Sequence, residues 1–107
     1  MMKTSTTPVD PVVIRVWNGD DSDVFAIFPT IPASENGLYC TAYQHVGQHC
    51  AADYHGCIRE SRPATAAEAA SLLAELTRLG YRPQVINRAT QAMHRACIAA
   101  ARARSAA

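Results

Sequence analysis

Histidine and cysteine are concentrated in one short segment of this sequence. The chain contains four histidines and four cysteines, and three of each lie between Cys40 and Cys57. These six residues are His45, His49, His55, Cys40, Cys50 and Cys57. Imidazole and thiolate groups are the ligands that zinc prefers, and they also serve as bases and nucleophiles in catalysis. Metal binding, covalent catalysis and ligand binding are therefore the three chemistries to weigh.

A zinc site is the first hypothesis, with His45, His49 and Asp53 as its ligands. Three protein ligands with an open coordination position would suit a metal-dependent hydrolase. However, the sequence has no Cys-x-x-Cys pair, and Gly47 interrupts the helix that would bring His45 and His49 onto one face. Histidines in turns more often hydrogen-bond the backbone nearby, so we expect neither a metal nor another cofactor.

A cysteine nucleophile is the second hypothesis. Cys50 directly follows His49, but adjacent side chains on a strand or helix point apart. A pairing of Cys50 with His55 would depend on the fold. We therefore assign no catalytic residue and favour a non-enzymatic protein.

Ligand binding is the third hypothesis. Aromatic rings and amide groups recur on one face of a predicted strand and in the turn that follows it, and such groups bind planar polar ligands or a partner's loop. There is no glycine-rich phosphate loop, so a nucleotide-like ligand would need side-chain cations. The predicted binding residues are Tyr39, Tyr43, His45, Gln48, His49, Asp53, Tyr54, Arg59 and Arg62.

Alternating and β-branched apolar residues predict the strands that carry this segment. Asn18 to Asp23 is rich in turn residues and predicts a hairpin, whereas Pro29 and Pro32 are expected to end its second strand. In the third strand, Leu38, Cys40 and Ala42 should face the core, and Tyr39, Tyr43 and His45 should face a half-wet surface. The predicted strands are Val12–Trp17, Val24–Phe28, Leu38–Val46 and Gln84–Asn87.

Three helices are predicted, and the second has the clearest signals. Thr65 and Glu68 form a capping box, and Gly80 follows the last turn. Its apolar stripe is Ala69, Leu72, Leu73, Leu76 and Leu79. A short helix capped by Asp53 should run to Glu60 with Tyr54, Cys57 and Ile58 inward, and a last helix from Gln91 to about Arg104 should pack shallowly. The sequence thus predicts an α+β fold: a largely antiparallel sheet of three to four strands, covered on one face by one long helix, plus a C-terminal helix.

Length and composition favour one small domain. The chain has 107 residues, 49% of them hydrophobic and 18% charged, which is ordinary for a globular protein. We expect a disordered tail over residues 1–10, a single α+β domain over 11–88 and a basic C-terminal helix over 89–107. The N-terminal residues lack the apolar run of a signal peptide, so a cytoplasmic protein with reduced cysteines and no membrane association is expected.

Charge is unevenly distributed along the chain, although the net charge is only +1. Residues 1–75 carry four basic and nine acidic side chains, a net of −5, whereas residues 76–107 carry six arginines and no acid, a net of +6. Arg88, Arg95 and Arg102 recur every seven residues and would share one helix face. That face would serve a nucleic-acid-binding regulator. However, the small net charge and the lack of interleaved aromatic residues favour arginines that face the acidic N-terminal half of the protein, or a second subunit in a homo-oligomer.

Several segments together resemble a family of short proteins of uncharacterised function from bacterial genomes and mobile elements. The likeness spans about Val12 to Arg88 and rests on HVGQH at residues 45–49, followed by ADY at 52–54 and RPAT at 62–65. The resemblance implies no activity, but it suggests a phage or mobile-element product that acts on host machinery, such as an inhibitor of host defence. We therefore expect a non-enzymatic accessory protein that binds a protein partner or a small polar ligand.

Overall fold

A computed structural model describes residues 9–19, 22–44 and 48–106 of the chain. These residues form an α+β fold with one mixed sheet and three helices. None of the described helices is long and apolar enough to span a membrane. The elements in chain order are β1 (Asp10–Trp17), β2 (Val24–Pro32), β3 (Cys40–Gln44), β4 (Gln48–Ala52), α1 (Tyr54–Arg59), β5 (Ser61–Pro63), α2 (Ala66–Arg78), β6 (Pro83–Val85) and α3 (Gln91–Ala106).

The sheet is larger than the three to four strands that the sequence predicts. Its order is β4-β3-β2-β1-β5, and β6 also pairs with β1. The pairs β1–β2, β2–β3 and β3–β4 are antiparallel, which confirms the predicted hairpin. β5 pairs antiparallel with residues 15–17 of β1, whereas β6 pairs parallel with residues 10–12. Two short strands therefore share one edge of β1, and Val13 and Ile14 lie at the gap between them.

The predicted long helix covers one face of the sheet. Thr65 and Glu68 form the complete capping box, and Gly80 follows the helix with a φ of 104°. Leu72 and Leu76 are fully buried against the sheet, but Leu79 is about half exposed, so the predicted stripe is one residue too long. The core on this side includes Val12, Ile14, Val16, Val24, Ala26, Phe28, Tyr43, Ala69, Leu72 and Leu76.

The opposite face is covered by α1 and α3. The sequence predicts both helices, but it does not predict that they cover a second face of the sheet. Cys97 and Ala101 of α3 are buried, so the expected shallow packing is wrong. The close approach depends on small residues: a Cβ on Gly37 would lie 2.5 Å from the Cα of Ile98. As predicted, Tyr54 is buried in this second core, which includes Val13, Phe25, Ile27, Cys40, Ala42, Ala52 and Cys97.

Other sequence-based expectations fail where tertiary contacts override local pattern. β2 continues through Pro29 to Pro32, because the β2–β3 register shifts between Phe28 and Pro32 and the missing proline N–H groups fall at this irregularity. Leu38, which was expected in the core, is 67% exposed. Asp10 belongs to β1 instead of to a disordered tail; residues 1–8 lie outside the described chain.

Candidate functional site

The predicted binding residues do not converge on one surface. Tyr43 and His49 are cross-strand partners on the α2 side of the sheet, whereas Tyr54 packs in the core on the α3 side. Tyr39 is exposed in the loop between β2 and β3, and Asp53 precedes α1. Asp53 occupies the N-cap position, but its side chain makes no capping hydrogen bond. His45 and the side chain of Gln48 lie outside the described part of the structure.

On the α2 side, tyrosine and histidine side chains form a connected cluster. Tyr43 is buried, contrary to the expected half-wet surface, and its hydroxyl donates a hydrogen bond to Glu75. The Nε2 atom of His49 lies 2.9 Å from the Tyr81 hydroxyl oxygen, and the His49 ring meets the edge of the Tyr43 ring. Tyr81 also stacks on Phe28. These contacts hold α2 and the chain after it against β3 and β4, which is a structural role.

The two predicted cations also differ in their surroundings. Arg62 makes an ion pair with Glu68, with 2.7 Å between Nη2 and Oε2. This hydrogen bond and a second one from the Thr65 backbone lower the pKa of Glu68 to about 2. Arg59 is exposed on α1. Arg62 therefore stabilises the start of α2.

The residues proposed as zinc ligands lie apart as far as they are described. His49 is on the α2 side, Asp53 follows β4, and His45 is among the residues that are not described. Within the described ranges, no group of three or more histidine, cysteine, aspartate or glutamate side chains is arranged to hold a metal ion.

The four cysteines are free thiols with different environments. Burial, together with the nearby Cys97 and Cys57 thiols, raises the pKa of Cys40 to about 12. Burial likewise raises the pKa of Cys57 and of Cys97. Cys50 is exposed on β4, so it is accessible, but it lies on the sheet edge and not in a cleft.

The most distinctive polar group is Arg15 in the middle of β1, because it is 92% buried and has no acidic partner in the described chain. Its exposed fraction is 8%. Nε donates to the Ser61 hydroxyl at 3.0 Å, and Nη2 donates to the carbonyl oxygens of Ser61 and Ile58 at 2.7 and 3.1 Å. The third nitrogen, Nη1, makes no hydrogen bond within the described residues. Burial lowers the pKa of Arg15, and the Tyr54 side chain acts in the opposite direction.

Two cavities meet at Arg15. The first has a volume of about 400 Å³ and is bounded by α2, β6 and the chain between β5 and α2. The second, of about 350 Å³, is bounded by α1 and the chain that leads into α3, and its lining includes His55 and Arg88. Both cavities are lined by Arg15 and Asn87. The two cavities therefore adjoin at these two residues beside the edge of β1, and together they are called the cleft.

Tyr54 and His55 contribute the rings that line the second cavity, and His94 packs against both of them. The backbone N–H of Ala89 donates to the Tyr54 hydroxyl at 2.7 Å, which fixes the segment that carries Asn87 and Arg88. The rings of His55 and His94 are 5.3 Å apart, and both contact Tyr54. Burial first and His55 second lower the pKa of His94. The rim therefore carries cationic and titratable groups close to Arg15.

Sequence reasoning missed this cleft, although one signal for it is visible. Arg15 interrupts the apolar run from Val12 to Trp17, and a charge within a strand of that kind has to be accommodated by the fold. Its hydrogen-bond partners lie 43 and 46 residues away along the chain. No local pattern indicates that they would meet it.

Searches of protein-family models, of curated proteins and of solved structures found no match for this chain.

Proposed function

We propose that this protein binds a small ligand through an anionic group that pairs with Arg15. The observation that carries the proposal is that Arg15 is only 8% exposed, with one guanidinium nitrogen free of hydrogen bonds in the described chain and no carboxylate beside it. Arginines are rarely buried to this degree without an anionic partner, because removal of the charge from water is costly. A bound carboxylate or phosphate would supply that partner.

The structural and ligand-binding uses of Arg15 are compatible because they involve different atoms. Nε and Nη2 hold Ser61 and Ile58, and thereby fix α1 and β5 to β1. These bonds also fix the plane of the guanidinium and the position of Nη1. A donor that is held rigidly before the ligand arrives loses little conformational entropy on binding.

The surroundings of Arg15 support an anionic ligand. Arg88 is exposed at the rim of the same cavity, makes no ion pair within the described chain, and adds a second positive charge. The Asn87 side chain carries two N–H donors and a carbonyl acceptor at the junction of the two cavities. Of the described residues that line the second cavity, none is acidic. The local field therefore favours a negatively charged group.

The same lining supports binding more than catalysis. Its described residues include no cysteine or serine that could act as a nucleophile, and the free thiol of Cys50 lies elsewhere. A non-enzymatic accessory protein of a phage or mobile element remains our interpretation of the sequence. The Arg15 cleft gives that interpretation a defined site, which differs from the surface formed by Tyr39 to Asp53.

The proposal is tested by titration of inorganic phosphate and of sulfate into the protein. Binding is measured from the shifts of the backbone amide signals in two-dimensional NMR spectra. We expect saturable shifts around Arg15, Tyr54 and His55. The variant Arg88→Gln should weaken binding about tenfold, as expected for the loss of one charge-assisted contact. Its matched control is Arg78→Gln, since Arg78 is exposed at the end of α2 away from the cleft.

Arg15→Gln is the more direct variant, but it also removes bonds that hold the fold. It is therefore interpreted only if its amide spectrum shows a folded protein. If neither anion shifts the amides around Arg15 in the wild type, or if Arg78→Gln and Arg88→Gln weaken binding equally, the proposed anion site is wrong.

A further inference from the structure

We infer that the ligand is an amphipathic anion, with its charged group at Arg15 and an aliphatic or aromatic body in the first cavity; this inference rests on the proposed function. The first cavity, which lies between α2 and β6, is the apolar lobe of the cleft. Its volume of about 400 Å³ lies within the range of small-molecule sites.

The walls of the apolar lobe have little capacity for polar recognition. They are formed mainly by aliphatic side chains, among them Ile14, Ala69, Leu73 and Val85. Thr65 also lines the lobe, but its hydroxyl already accepts the hydrogen bond from the Glu68 backbone N–H. The N-terminus of α2 is therefore capped by the chain itself, and the lobe favours an apolar group over a second anion.

The floor of the apolar lobe is also satisfied. Among the lining residues, the carbonyl oxygen of Ile14 accepts a hydrogen bond from the Ala64 backbone N–H at 3.1 Å, and the Ile86 backbone N–H donates to the carbonyl oxygen of Val12 at 2.9 Å. The two strands that share the edge of β1 thus leave space between them without leaving these carbonyl groups unpaired. A ligand body can lie over them without losing hydrogen bonds to water.

Two exposed apolar residues at the rim of the lobe would be covered by the apolar part of a ligand. Val85 is 53% exposed, although it lines the lobe, and Ala66 is exposed on the opposite rim at the start of α2. Contact with a ligand would remove this apolar surface from water, which is favourable in proportion to its area. Because Arg15 and Asn87 line both cavities, the charged and apolar contacts can be made by one molecule.

The inference is tested with a series of free carboxylates, acetate, hexanoate and octanoate, titrated calorimetrically into the full-length protein. Octanoate should bind at least about tenfold more tightly than acetate, which is the effect of burying about two methylene groups. Ala66→Phe should narrow the lobe and abolish this preference, while inorganic phosphate should still bind. The matched control is Ala74→Phe, at an exposed position of α2 that does not line the lobe.

A second variant tests the same preference independently, in case Ala66→Phe does not fold. Val85→Thr keeps the shape of an exposed strand residue and removes apolar contact, so it should reduce the preference for octanoate; Val9→Thr is its control. If acetate and octanoate bind with equal affinity while phosphate also binds, the inference of an amphipathic ligand is wrong, but the proposed anion site at Arg15 is supported. If no anion binds, the proposed function itself fails. Binding to vesicles of acidic phospholipid without binding to octanoate would also overturn the inference of a free small ligand.

Discussion

Arg15 on β1 donates two hydrogen bonds to Ser61 on β5, from Nε to the hydroxyl at 3.0 Å and from Nη2 to the carbonyl oxygen at 2.7 Å. The Ser61 hydroxyl in turn donates to the carbonyl oxygen of Cys57 at 2.5 Å. This chain of bonds links the sheet to α1 on the side where the cleft opens. The serine therefore fixes the guanidinium that we propose as the anion-binding group.

The first prediction concerns Ser61→Ala. The substitution removes the acceptor of Arg15 Nε and the bond to Cys57. The first bond is buried and the second is partly buried, and Ser61 itself is 7% exposed. We expect the free energy of unfolding to fall by about 1–3 kcal/mol. Urea denaturation measures the change, with Ser71→Ala on the exposed face of α2 as the control. Equal stability of the two variants would show that the bonds from Ser61 contribute little.

The second prediction concerns Gly37, where a φ of 74° and close contact with α3 both disfavour a side chain. Gly37→Ala would place its Cβ 2.5 Å from the Cα of Ile98, so the helix has to move. Gly19→Ala is a matched control, because Gly19 has a φ of 85° but nothing within 4 Å of an added Cβ. Gly19→Ala should lower the free energy of unfolding by about 1–2 kcal/mol, because of the left-handed conformation alone. Gly37→Ala should lower it by the same amount and by about 1–3 kcal/mol more, because of overpacking.

Thermal unfolding of the two glycine variants separates these contributions. If Gly37→Ala is no less stable than Gly19→Ala, then the packing of α3 on the loop from residue 33 to 39 is looser than the structure indicates.

The elements that the sequence predicts well are those encoded by neighbouring residues. The β1–β2 hairpin follows from turn residues between two apolar runs, and α2 follows from the capping box of Thr65 and Glu68. β4 was missed because its sequence, QHCAA, has little β propensity; it is a strand because it pairs with β3 over five residues. β5 is only three residues long and likewise depends on its partner, β1.

The candidate site was predicted less well because its members are distant in sequence. The segment from Tyr39 to Asp53 contains many polar residues, but the pleat of the sheet sends Tyr43 and His49 to the α2 side, whereas Ala42 packs in the core on the other side. Arg15 meets Ser61 only through the pairing of β1 with β5. Density of reactive residues along the chain therefore does not indicate a site unless the topology brings them to one face.

The third prediction concerns acid stability through Glu68. Its pKa is lowered from 4.5 to about 2, chiefly by the hydrogen bond from Arg62 and next by that from Thr65. A carboxyl group with a depressed pKa stabilises the fold above its unfolded pKa, and this contribution is lost as the pH falls from about 4.5 towards 2. Glu68→Gln keeps a side chain that can complete the capping box but cannot titrate. The urea midpoint of the wild type should therefore fall more steeply than that of Glu68→Gln between about pH 5 and about pH 3.

The control for this comparison is Glu35→Gln, in the exposed loop before β3. This variant should follow the wild-type pH dependence. If Glu68→Gln is as acid-sensitive as the wild type, the ion pair with Arg62 does not form in solution.

The fourth prediction concerns the order in which the cysteines react. Burial and the nearby Cys97 and Cys57 thiols raise the pKa of Cys40 to about 12, so almost none of its thiolate exists near neutral pH, and the side chain is only 5% exposed. Cys50 is exposed on β4. Because the thiolate is the reactive form and the reagent needs access, iodoacetamide at about pH 8 should modify Cys50 first and Cys40 last.

Peptide mass spectrometry after timed quenching measures this order, and Cys50→Ser should remove the fast phase. Modification of Cys40 should require unfolding, so its rate should rise with urea in parallel with the loss of the folded protein. Cys40 and Cys97 belong to the same buried cluster between the sheet and α3, and a carboxamidomethyl group there would disturb the packing of the helix. Rapid labelling of Cys40 in the native protein would therefore contradict the burial of this cluster.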